Sequence, residues 1–190
     1  MQETKRAFSA RDLAYVALGT ALMAVCAWIS VPSVLSLVPF TLQTFAVCLA
    51  AALFGARLGV WSVMCYILLG LAGAPVFSGF RGGAAALLGP TGGYIAGFVL
   101  TAAAVGFAAD RWGVRALPLA GAMVLGVALC YAFGTAWFVY VYSRRSGPIG
   151  VAAALGTCVA PYLIPDGIKI ALATVLAGRL RGLVKGRRKA

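Results

Sequence analysis

The stretch LAYVALGTALMAVCAWISVPSVLSLVPFTLQTFAVCLAAALFGA, Leu13 to Ala56, runs for 44 residues without one charged side chain. A helix that crosses the hydrocarbon core of a bilayer needs about 20 residues. The run is too long for one crossing and long enough for two. Pro32 and Pro39 bracket its middle, and proline removes a backbone donor and clashes with the preceding helical turn. The reading is therefore one span over 12–31 and a second over 41–55. The first is too long for the roughly 7–15-residue apolar core of a signal peptide.

Working outward, the other charge-poor intervals place spans over 59–73, 92–110, 117–142 and 165–184, flanked by segments 1–11 and 185–190. The interval 146–165 carries Pro148, Pro161 and Pro165 and reads as a loop with a short interfacial helix. The expected class is an all-α integral membrane protein with six transmembrane helices. Composition agrees: 63% of the 190 residues are hydrophobic and 11% charged, with mean hydropathy +0.98. A soluble domain of this size needs more polar surface, and a disordered chain is far less apolar. No internal repeat is evident.

The same composition excludes most catalysis. There is no histidine, and the acidic residues are only Glu3, Asp12, Asp110 and Asp166. Histidine triads, histidine-ligated zinc and most carboxylate dyads are out, so neither an enzyme nor a metal or cofactor is expected. Cys26, Cys48, Cys65, Cys130 and Cys158 lie in apolar runs without a ligand spacing and read as small buried hydrophobes. The net charge of +12 does not point to nucleic acid, because six of the sixteen basic residues fall in the last twelve positions. A basic tail after an apolar helix marks a cytoplasmic end facing anionic membrane lipids. Six spans put both termini on one side. With that side cytoplasmic, twelve basic residues lie inside and Arg81, Arg144 and Arg145 outside.

The loops at the outer face are apolar and nearly uncharged: 31–40, with Phe40, and 74–83, with Phe77 and Phe80. Such residues suit a lid over a small ligand or an aromatic anchor at the lipid interface. Asp166 and Lys169 stand three apart near the start of the last span, so both face one side. Ionisable groups in a span are costly unless paired or turned to a polar cavity. A lysine set against the helix dipole favours an anion to bind over mutual neutralisation. Thr41 and Gln43 offer neutral hydrogen bonds suited to a urea or amide group, or a helix cap. The segment Gly89-Pro-Thr-Gly-Gly-Tyr94 opens a helix; its free N–H groups suit a ligand carbonyl or carboxylate with Tyr94 as a wall, or it is a turn with close packing through Gly93 and Gly97. Ala17 and Ala21, with Gly19, Ala24 and Ala27 nearby, give the first span a small-residue face.

Together, Val38-Pro-Phe-Thr-Leu-Gln-Thr-Phe-Ala-Val47, Gly73-Ala-Pro-Val-Phe-Ser-Gly-Phe80, Leu88-Gly-Pro-Thr-Gly-Gly-Tyr94 and Pro165-Asp-Gly-Ile-Lys-Ile-Ala171 resemble the BioY family. These are the biotin-binding S components of energy-coupling-factor (ECF) transporters. The resemblance implies an S-component bundle of six helices in the cytoplasmic membrane of a prokaryote, with cytoplasmic termini. It implies an outward-facing biotin pocket capped by two loops, formed by Asp166, Lys169, Tyr94 and Gln43. It further implies docking through Ala17 and Ala21 onto a membrane T component with two ATPase subunits. Arg81, at the variable position of Gly-Phe-x-Gly-Gly, is carried as a candidate carboxylate partner. An S component for another vitamin, or a membrane protein without a ligand, are the rival readings.

Overall fold

The computed structural model describes residues 8–31 and 38–186. Helix α1 spans Ala10–Trp28 and starts at a capping box, in which the Ser9 hydroxyl accepts from the Asp12 N–H and the Asp12 carboxylate accepts from the Ser9 N–H. That arrangement satisfies two of the otherwise unpaired N–H groups of a helix start. After α1 the chain extends into β1, Ser30–Val31, which pairs antiparallel with β2, Phe40–Thr41. No residue pattern in the expected loop marks this two-residue ladder. It forms because extended chain leaving one helix and entering the next must pair its backbone groups. The Pro32–Leu37 part of the expected lid, residues 1–7 and residues 187–190 lie outside the described residues.

Helix α2, Gln43–Leu71, is two helices in one boundary. Gly55 sits at φ 85° and ψ 177°, a backbone conformation that only glycine adopts without strain. The chain reverses there: Gly59 lies against Ala51, and Tyr66 reaches Gln43. Residues equidistant from Gly55 thus face each other, as in an antiparallel hairpin. Asp110 closes the turn by accepting the Ala56 N–H at 2.8 Å.

Helices α3, Ala84–Leu87, α4, Gly92–Trp112, α5, Ala116–Ser146, α6, Val151–Cys158, and α7, Leu163–Gly186, follow. Close glycine contacts let the long helices approach. Gly106 of α4 rests on Ala56, Gly126 of α5 on Thr101, and Gly19 of α1 on Ser62. Gly93 and Gly97 abut Trp137 and Cys130 of α5, so this pair packs helices together. Large apolar side chains, among them Leu18, Leu125, Phe133, Ile168 and Leu172, stay exposed around the bundle. Lipid can cover such a surface where water would not. Among the described residues five helices are long and apolar enough to cross a membrane, counting α2 as one.

Candidate functional site

The connections at one end of the bundle enclose a cavity between α2, α4, α5 and α7. About 90 Å³ of it is open to the centre of a water-sized sphere, several times what a single water needs. Its buried charged pair is on α7. Asp166 and Lys169 are each 4% exposed, and Lys169 Nζ donates to Asp166 Oδ1 at 2.6 Å. Nζ also donates to the Thr41 carbonyl at 2.6 Å and lies 4.1 Å from the Phe40 ring centroid. The other carboxylate oxygen accepts from the Tyr131 hydroxyl of α5. A buried pair needs this level of satisfaction, since removing one partner leaves an uncompensated charge.

An adjoining wall comes from the α2 hairpin and the loop after it. Gln43 Nε2 donates to the Tyr66 hydroxyl at 2.6 Å, and that hydroxyl donates onward to the Val76 carbonyl at 3.0 Å. Gln43 Oε1 accepts from Thr41 Oγ1 at 3.1 Å. Next to Val76, Phe77 is 2% exposed and meets Tyr66 edge-on at 5.4 Å. It fits because Gly70 beneath has no Cβ; one would lie 2.0 Å from the ring. The Phe77 N–H bonds the Arg81 carbonyl at 2.9 Å, which tightens the loop. Arg81 itself is exposed at the rim, its Nε donating to the Ser78 carbonyl at 3.2 Å. Tyr94 of α4 forms a third wall, its hydroxyl 3.1 Å from Thr135 Oγ1.

A cavity with aromatic walls, one buried ion pair and a neutral amide suits a small ligand with a polar head. The family model described as "BioY family" matches residues 1–186. The chain belongs to the BioY family. The "Biotin transporter BioY" of Thermotoga maritima is 42% identical over 173 residues, covering 91% of this chain and 97% of that protein. The "Probable biotin transporter BioY" of Pyrococcus horikoshii is 39% identical over 174 residues, covering 91% and 98%. A solved structure titled as the S-component for biotin from an ECF-type ABC transporter superposes with TM-score 0.81 at 29% identity, over 92% of this chain and 95% of that one.

Of the residues singled out in this BioY chain, Asp166, Lys169, Tyr94, Gln43, Thr41, Phe77 and Arg81 all line the cavity. Phe80 does not. It is 64% exposed and stacks on Trp28 at 5.3 Å, while Trp28 Nε1 bonds the Pro75 carbonyl at 2.8 Å. Phe80 therefore ties the loop to α1 rather than facing the cavity. The N–H groups of Gly92 and Tyr94 are taken by the carbonyls of Gly89 and Thr91, so they are not open to a carboxylate. Tyr131, Tyr162, Cys130 and Cys158 also line the cavity and were not foreseen. Tyr162, between Pro161 and Pro165, had a local signal; its hydroxyl bonds the Val38 carbonyl and its ring stacks with Phe40. Tyr131 lies in a long apolar run and had none.

Ala17 and Ala21 are exposed and lie in a separate groove between α1 and the returning arm of α2. Gly19, Ala24 and Ala27 of the same helix turn inward and are buried.

Proposed function

We propose that this BioY chain captures biotin at the outer face of the cytoplasmic membrane of a prokaryote, as the substrate-binding subunit of an ECF-type transporter. The observation that carries the reading is the buried Asp166–Lys169 pair in the cavity lining in a chain of the BioY family. Biotin brings a compact neutral ureido head, which seeks hydrogen bonds, and an anionic tail, which seeks a cation. Asp166, Gln43 and Thr41 offer the first, with Tyr94 and Phe77 as walls. Arg81 at the rim offers the second, while Lys169, bonded to Asp166, stands at the head end. The loops 31–40 and 74–83 serve as the lid, because a ligand of this size is held by being mostly enclosed.

In this reading the α2 hairpin counts as two crossings, giving six, and both termini are cytoplasmic by the twelve-to-three distribution of basic residues. The chain has no nucleotide-binding motif, so two partner ATPases supply the energy and a membrane T component docks on the groove at Ala17 and Ala21. Thiamin is a poorer candidate ligand, because its cation would meet Lys169. The test is binding of labelled biotin to the purified protein, with thiamin and riboflavin as competitors. Saturable binding displaced by biotin alone is expected. Displacement by another vitamin, or no binding at all, overturns the proposal.

A further inference from the structure

Helix α5 supplies none of the residues that the sequence marked for the ligand, yet two of its side chains grip residues of the cavity. Tyr131 donates its hydroxyl to Asp166 Oδ2. One turn on, Thr135 meets the Tyr94 hydroxyl at 3.1 Å. Residues four apart lie on one helix face, so α5 turns a single face toward both the α7 and the α4 wall.

The Asp166 carboxylate is held at both oxygens, by Lys169 from its own helix and by Tyr131 from another. Two donors on opposite oxygens fix both the direction and the plane of the group. A carboxylate oxygen has two lone pairs, so each keeps one acceptor position for a ligand N–H. Without the tyrosine hydroxyl the carboxylate is held at one end and can turn about its bond to Cβ. A recognition site depends on groups held in their working geometry before the ligand arrives.

We infer that Tyr131 is a positioning residue for ligand recognition: it holds the Asp166 carboxylate in the orientation that accepts a ureido N–H. This rests on the biotin reading above. Tyr131→Phe keeps the ring and removes only the hydroxyl. The expected result is biotin binding weakened five- to thirtyfold in an otherwise folded protein.

A purely structural role would also weaken binding, so the deciding measurement is a thermodynamic cycle. In an Asp166→Asn background Tyr131→Phe is expected to cost less than twofold further. Thr135→Val, which acts on Tyr94, is the comparator, and its penalty is expected to be the same in both backgrounds. Tyr131→Phe binding biotin within twofold of the parent overturns the inference, as does a penalty that is undiminished beside Asp166→Asn. Failure of the parent itself to bind biotin removes the underlying reading instead. Should Tyr131→Phe not fold, 3-fluorotyrosine at position 131 gives a second measurement. Its ¹⁹F resonance is expected to shift on Asp166→Asn in the ligand-free protein, and a resonance that stays put overturns the inference.

Discussion

Two hollows among the described residues are built by opposite rules. The cavity at the end of the bundle is lined by Asp166, Lys169, Gln43, Thr41 and three tyrosines. The groove on α1 is lined by Leu13, Ala17, Ala21, Val25, Leu68 and similar residues, with Thr20 as its polar member. Even Thr20 turns away, bonding the Val16 and Ser62 carbonyls at 2.9 and 3.0 Å. In the cavity Asp166, Lys169, Gln43 and Thr41 are each held by a neighbouring group, so that a ligand meets oriented donors and acceptors. In the groove nothing polar is offered, and an occupant gains only by packing. A polar hollow selects by chemistry and an apolar one by shape.

The comparison breaks most readily at the ion pair. Asp166→Asn and Lys169→Ala are each expected to weaken biotin binding at least tenfold, by equilibrium binding, with expression intact. Leaving one charge of a buried pair without its partner costs about 3–5 kcal/mol, so the melting temperature should fall as well. The double variant Asp166→Asn with Lys169→Gln separates the two effects. Its stability should recover toward the parent, since no buried charge remains unpaired, while binding stays lost. Binding restored together with stability would mean that the pair only tethers the fold.

A smaller effect is expected from Gly70→Ala, which touches no polar group of the cavity. The new methyl would lie 2.0 Å from the Phe77 ring, so the ring must leave its wall and drag the loop carrying Arg81. A three- to tenfold loss of biotin affinity is expected, with stability lowered by about 1–3 kcal/mol as for other overpacked sites. Unchanged affinity would show that this wall does not contact the ligand.

How much was legible in the chain itself follows the same division. The charge-free runs and prolines marked the long apolar segments, because a bilayer leaves few other ways to satisfy a backbone. Asp166 and Lys169 stood out because ionisable groups are rare in such segments. Gln43, Thr41 and Phe77 stood out as polar or aromatic residues in short proline-marked motifs. Tyr131 stayed hidden, since a tyrosine in a long apolar helix has the same local pattern whether it faces lipid or a carboxylate. Phe80 was grouped with Phe77 by proximity alone. Gly79 between them, at φ 70°, lets the chain turn so that the two rings part, and neither composition nor spacing registers that turn. Arg57 marked the break between the spans 41–55 and 59–73, but its closure by Asp110 on the Ala56 N–H, 54 positions away, was not legible.

The groove gives the smallest expected effect on the isolated protein and so the sharpest contrast. Ala17→Leu and Ala21→Leu add bulk to exposed positions on the face of α1 away from the cavity. Gly19 and Ala27, which do pack inward, are left untouched, so the helix should keep its seat on α2. Biotin affinity of the purified variants is expected within twofold of the parent. Partner-dependent uptake in cells carrying the T component and ATPases should fall at least fivefold, because close helix contacts depend on small residues. Uptake at the parent level in both variants would sink the docking role of this face. Loss of biotin binding in both would show instead that the groove and the cavity are not independent. Val76 is the residue through which that would travel, since it lines the groove while its carbonyl receives the Tyr66 hydroxyl that in turn holds Gln43.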